Sequence, residues 1–258
     1  MLGVHNAFCP VLVTEYSEDF ELLVVEIAVN KMKIRLVSGY GPQENWPDNK
    51  KTPFFEALEA EVSRAELEGR SVIICMDANS KLGSEFIPRD PHGQSQNGKI
   101  LAGILDRHAL IVLNGLKEKC DGLITRQRST QNGLELSVID FVITSSGLVK
   151  HVVSVTIDEK REHVLTKLIK DKKKKVIKSE SDHNVILTKL KLTWATEGHD
   201  FVEVFNFISC YLKILCSFCT ILRDMFLLLV QLIYYLIPVG DFTIKTFDGE
   251  VSVSLFLL

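Results

Sequence analysis

The sequence predicts an α+β or layered α/β fold with mixed sheets. Two observations carry this: short apolar runs alternate with polar breaks along most of the chain, and strand-like runs outnumber helical ones. Phe20 to Val29 (FELLVVEIAV) and Met32 to Val37 (MKIRLV) read as two strands joined at Asn30-Lys31, the second with Met32, Ile34 and Leu36 in alternation. Thr52 precedes Pro53, a good first helical residue. Phe54, Leu58, Val62 and Ala65 follow at helical spacing, and Gly69 ends that helix. Ser71 to Met76 (SVIICM) is continuously apolar, as a strand buried on both faces should be. Asn97-Gly98 opens a second helix with Ile100, Leu101, Ile104 and Leu105 on one side. Leu110 to Leu113, Ser137 to Thr144 and Asn184 to Leu192 read as further strands, and no repeat of fixed period is visible.

The chain has 258 residues, net charge −3 and 46% hydrophobic residues, which excludes a polycation, an acidic tail protein and a mainly disordered chain. Its six cysteines are irregularly spaced, and Cys216 and Cys219 have no matching second pair, so neither a disulfide scaffold nor a zinc ribbon is expected. The N-terminus lacks a signal-peptide pattern, and an intracellular setting with reduced thiols is the expectation. From Trp194 onward the composition changes: three basic residues stand against seven acidic ones, around a dense apolar run from Phe201 to Val239.

Polar groups at the ends of buried strands are the first candidates for chemistry, because the strand fixes the backbone while the end residue reaches a cleft. Asp77 and Asn79 follow SVIICM in MDANSKLG, Asp140 lies within VIDFVI, and Asp182 and His183 precede the last strand in SESDHNVIL. Each has a bland reading. Asp77 could begin a turn, Asp140 could pair with a nearby arginine such as Arg126, and an Asp-His pair before a strand is often solvated loop. The joint occurrence of all three in this order is what points to a site.

These segments resemble the motifs of the endonuclease/exonuclease/phosphatase superfamily, which includes abasic-site endonucleases and LINE-type retrotransposon endonucleases. MDAN is similar to the family's GDxN, with Met76 in place of Gly. VIDFVIT is similar to its [IL]D[YF] strand, SDHN to its SDH signature, and GYGPQ to the segment carrying a phosphate-contacting Tyr. TRQR, Thr125 to Arg128, resembles the TxR ahead of the [IL]D[YF] strand. GYGPQENW, MDANSKLG and the pairing of ITR with IDF place the likeness nearest to retrotransposon-type domains. The resemblance runs from about Leu2 to Trp194.

The resemblance implies a four-layer α/β sandwich: two facing mixed β-sheets flanked by helices. It implies metal-assisted phosphodiester hydrolysis of DNA with Mg²⁺, or Mn²⁺ in its place. His183 would take the proton of the attacking water, Asp140 would hold its other ring nitrogen, and Asp77 would align the water. Asn79 and Tyr40 would donate to the phosphate, Arg126 is a further candidate for a phosphate contact, and Asp182 would act at the metal. The family's first strands, with an Asn and the principal metal-binding Glu, have no match here; Glu15 and Glu26 lie outside the family's Glu context. The expectation is a domain over residues 1–193 that lacks its first strands and is impaired in catalysis, followed by a non-homologous hydrophobic tail over 194–258.

Two other segments stay open. Lys170 to Lys178 (KDKKKKVIK) reads as a solvated loop, a contact to nucleic-acid phosphates or a nuclear import signal. Met225 to Val239 is uncharged but spans fifteen residues, against the roughly 20 of a bilayer helix. Membrane association through residues 205–239 is therefore one reading and added, non-homologous sequence another. Competing functions are an inositol-phosphate or sphingomyelin phosphoesterase on the same fold, and a catalytically dead remnant tethered to a membrane.

Overall fold

The fold is taken from a computed structural model that describes residues 11–16, 21–29, 32–164, 166–170, 176–193 and 250–257. The strands are β1 (Val11–Tyr16), β2 (Glu21–Val29), β3 (Met32–Tyr40), β4 (Ser71–Asp77), β5 (Leu110–Val112), β6 (Cys120–Asp121), β7 (Arg126–Thr130), β8 (Gly133–Ser137), β9 (Asp140–Ser145), β10 (Val152–Ile157), β11 (Thr166–Lys170), β12 (Val176–Glu180), β13 (Ile186–Thr193) and β14 (Glu250–Leu257). The α-helices are α1 (Asp48–Leu67) and α2 (Gln96–Arg107). Strands outnumber helices, as expected.

Two mixed sheets form. The first runs β1-β2-β3-β4-β9-β5, with β3 and β4 parallel and its other pairs antiparallel; the second runs β14-β13-β10-β6, with only β10 and β6 parallel. Parallel neighbours need a crossover, and α1 supplies the one between β3 and β4. Because successive strand residues face opposite ways, β4 splits its apolar run between two cores. Val72, Ile74 and Met76 pack against Phe54, Phe55, Leu58 and Val62 of α1. Ile73 and Cys75 join Val155, Ile157, Ile186 and Leu190 of the second sheet. Among the described residues both α-helices lie on the first sheet, giving three layers.

Several elements differ from the sequence expectation. α1 begins at Asp48, not Pro53, which sits in its second turn. The Pro47 carbonyl accepts from the N–H groups of Lys50 and Lys51, and the buried Lys51 ammonium donates to the Glu44 carbonyl 3.2 Å away, so the helix nucleates before the proline. In α2, Ile100 is 38% exposed, whereas Leu101, Ile104 and Leu105 are buried. The predicted strand from Ser137 begins only at Asp140, because the Ile139 and Asp140 N–H groups donate to the buried Thr125 hydroxyl. The last predicted strand begins at Ile186, since Asn184 N–H donates to the Thr125 carbonyl instead of a sheet neighbour. Sequence reading did not find β1, the β7–β8 and β11–β12 hairpins, β6, β10 or β14. The turn at Asn30-Lys31, the lysines between β11 and β12, and residues 205–239 lie outside the described residues. Among the described residues no helix is long and apolar enough to cross a membrane.

Candidate active site

Tyr40, Asp77 and Asp140 end or begin three neighbouring strands and are register partners across the first sheet: Tyr40 opposite Asp77, and Asp77 opposite Asp140. Directly opposed side chains share a face. Asp77 lies on the face of Cys75, and Asp140 on that of Val142, both of which pack between the sheets. β4 is apolar from Val72 to Met76 and β9 from Phe141 to Ile143, so their aspartates stand at the rim of the inter-sheet core. The parallel strands β3 and β4 both deliver their C-terminal ends there, the edge where open α/β sheets place their ligands.

His183 comes from the second sheet, in the segment leading into β13. That segment is pinned before it reaches its strand. Gln127 N–H donates to the Asp182 carbonyl at 2.7 Å, His183 forms a bridge with Arg126, and Asn184 N–H donates to the Thr125 carbonyl at 2.6 Å. The His183 Nδ1 lies 3.0 Å from both carboxylate oxygens of Asp140. Its Nε2 faces Asp77 Oδ2 at 3.8 Å and Asp182 Oδ1 at 3.7 Å. Asp182 Oδ2 is taken by Arg126 Nε at 2.8 Å, so the arginine pairs with Asp182 and His183 pairs with Asp140.

Asn79 adopts φ 44°, a left-handed conformation that Asn tolerates through local bonding. Its N–H donates to Asp77 Oδ1 at 2.9 Å, closing a turn, and its amide donates to the Gly41 carbonyl at 2.8 Å. Gly41 N–H in turn donates to the Asp77 carbonyl at 2.6 Å. A Cβ on Gly41 would stand 2.5 Å from the Ala78 carbonyl oxygen, so only glycine fits where the GYGP and MDAN loops touch.

Three residues that hold the site were not singled out from sequence. The Thr125 hydroxyl receives the Ile139 and Asp140 N–H groups at 2.9 and 3.1 Å. Asn114 donates to the Asp140 carbonyl at 3.1 Å and receives Val142 N–H at 2.9 Å. Asn184 donates its amide to the Ile124 carbonyl at 2.7 Å. The signal was present in each case: a single amide or hydroxyl residue beside an apolar run, as in VLNG, LITR and SDHNVIL.

The electrostatics follow from this crowding. Burial, with the neighbouring Asp140 charge adding to it, pushes the Asp77 carboxyl up to about 7. Burial alone would lower the His183 imidazole, but the charges of Asp140, Asp77 and Asp182 outweigh it and raise the ring to about 9. Asp182 is penalised by burial, yet the Arg126 bond and the His183 charge hold it below the ordinary carboxylate range. Ligand atoms of Asp77, Asp140 and His183 lie within 4.8 Å of one another. With Asp182 beside them the donor set is rich in carboxylate oxygens, which suits a hard divalent cation. Both Asp140 oxygens also face the imidazole, and one Asp182 oxygen is bonded to Arg126.

This fold and this carboxylate–imidazole cluster define a protein of the endonuclease/exonuclease/phosphatase superfamily. Within it, the chain belongs to the endonuclease-reverse transcriptase family, whose match covers residues 34–187 and so includes every candidate residue from Tyr40 to His183. Among solved structures it is similar to the endonuclease domain of TRAS1, a telomere-specific non-LTR retrotransposon, with 22% identity over 67% of this chain and 66% of that one and a TM-score of 0.43. It is also similar to the 3'-5' exonuclease NExo of Neisseria meningitidis, with 17% identity over 64% of this chain and 63% of that one and a TM-score of 0.45. A third is D. rerio TDP2 complexed with a single-strand DNA product, with 15% identity over 68% and 64% and a TM-score of 0.38. The chain therefore spans just under two thirds of the length of each. No curated protein matches.

Proposed function

We propose that the chain carries a retrotransposon-type endonuclease domain that hydrolyses phosphodiester bonds in DNA with a divalent cation. The observation that carries this reading is His183, held by Asp140 at 3.0 Å through Nδ1 while Nε2 faces Asp77 at 3.8 Å. In its neutral form the Nε2 lone pair takes the proton of a water lodged between it and Asp77. Asp140 fixes the tautomer and stabilises the imidazolium that forms, and Asp77 orients the water. Asn79 and Tyr40, on the same rim, donate to phosphate oxygens whose charge rises toward the transition state. Arg126, once it leaves Asp182, adds a planar cation to that contact. Asp182 and Asp77 are the residues that would hold Mg²⁺ or Mn²⁺, which supplies Lewis-acid neutralisation of a phosphate oxygen.

We assign the domain to residues 1–193 and residues 194–258 to a tail, whose β14 pairs along β13. The test is nicking of supercoiled plasmid by the full chain with Mg²⁺ or Mn²⁺. Cleavage that disappears in His183→Ala supports the reading. Cleavage indifferent to His183, or faster hydrolysis of inositol phosphates or sphingomyelin than of DNA, sinks it.

A further inference from the structure

The site brings its own cation. Arg126 Nε lies 2.8 Å from Asp182 Oδ2. Arg126 opens β7, paired to Ser137 of β8 and bridged to His183, while the Asp182 carbonyl receives Gln127 N–H. Backbone pairing thus sets the two residues side by side. The guanidinium also acts on Asp77, which its charge favours in the ionised form. Arg126 therefore addresses the two carboxylates that flank His183 Nε2.

We propose that Arg126 competes with the divalent cation for Asp182, so that cation binding and the Arg126–Asp182 pair exclude each other. This rests on the reading of Asp182 as a cation ligand given above. A dication on Asp182 would sit beside the guanidinium bonded to Oδ2 of the same carboxylate, and repulsion between the two cations disfavours holding both. The Oδ2 oxygen bonded to Arg126 Nε is also one fewer hard donor for a metal. The exchange has a use. The arriving cation releases a planar donor beside the phosphate-binding rim, so one event loads the metal and arms the substrate contact. Arg126 is in this sense a positioning residue for the metal before it is a ligand for phosphate.

The test uses the full-length chain and Mn²⁺ alone, with free Mn²⁺ followed by electron paramagnetic resonance and no DNA present. Arg126→Met keeps the aliphatic stem and removes the charge. Mn²⁺ should then bind about tenfold more tightly, a change of about 1.4 kcal/mol. In an Asp182→Asn background the same substitution should give no gain. Unchanged or weaker binding in Arg126→Met, or a gain that survives Asp182→Asn, overturns the proposal. Should Arg126→Met fold poorly, the unmodified chain decides. The Arg126 Nε–H resonance must shift and exchange faster with water as Mg²⁺ saturates the site, and a resonance that stays in place overturns the proposal. A chain that shows this exchange yet cuts no DNA would defeat the hydrolase reading and leave the competition standing.

Discussion

Asp77 and Asp140 are register partners on neighbouring antiparallel strands, two buried carboxyls on one face, and the imidazole of His183 from the other sheet is set against both. Two like charges so placed resist simultaneous ionisation, and the intervening imidazole is drawn toward its cationic form. The pH behaviour of the site follows from that arrangement.

Before a cation binds, proton abstraction needs Asp77 ionised and His183 neutral. With the Asp77 carboxyl and the His183 imidazole both raised, nicking should increase from neutral toward alkaline pH as the two groups lose their protons. Stability runs the opposite way. Both groups have folded pKa values above their ordinary ones, so the folded chain holds more protons than the unfolded one and loses stability as pH rises. The Asp77 share is full below about 3.8 and lost by about 7. The His183 share is full below about 6.5 and lost by about 9. Urea midpoints of the cation-free chain should fall across both windows; Asp77→Asn should abolish the lower one and narrow the upper, because the Asp77 charge also raises His183.

Asp140→Asn separates orientation from charge. The amide can still occupy the place of the carboxylate, but it cannot stabilise the imidazolium and can fix the wrong tautomer. Nicking should fall by about 10³- to 10⁴-fold. The His183 titration, followed by NMR, should move down from about 9 toward the ordinary histidine value. A histidine that still titrates near 9 in that variant would mean that Asp77 and Asp182 dominate its environment.

The site residues could be read from the sequence because they obey a local rule that chemistry breaks visibly. Asp77, Asp140 and the Asp182-His183 pair interrupt or bound apolar strands whose burial was plain from composition. What could not be read was how they are held. Thr125, Asn114 and Asn184 act through backbone groups 14 to 60 residues away, and a side chain that bonds a distant backbone group leaves no periodic trace. Pairing across the sheets was hidden for the same reason. β14 finds β13 across more than fifty intervening residues, and β6 is only two residues long. The start of α1 was misplaced because proline reads as a first-turn residue, while a buried lysine and an upstream carbonyl had already opened the helix.

Thr125 gives a direct test of that support. Its hydroxyl accepts from two backbone N–H groups and lies 0% exposed. Thr125→Val keeps the shape and strands both donors. The expected cost is about 1–3 kcal/mol in urea unfolding. Because Asp140 N–H is one of the two, nicking should fall by more than stability alone explains under conditions where the variant stays folded. Equal activity per folded molecule would confine Thr125 to a structural role.

Arg35 poses a different stability question, away from the rim. It is 1% exposed on β3 and reaches under α1 to Glu61, which is 0% exposed, at 3.4 Å; Glu68 at 2.9 Å and Glu26 complete its partners. Arg64 holds the other Glu61 oxygen at 2.8 Å, and Arg35 Nε has no hydrogen-bond partner. Without Arg35 the buried Glu61 keeps only the exposed Arg64, whereas without Glu61 Arg35 keeps Glu68 and Glu26, so Arg35→Met should be the costlier change, up to about 3–5 kcal/mol, and Glu61→Leu the milder. Replacing both removes the under-paired Glu61 carboxylate along with the pair. The double variant should therefore be more stable than either single one and close to the parent chain. A double-mutant cycle by urea unfolding measures this, and additive losses would show that the network holds α1 on the sheet by more than charge pairing.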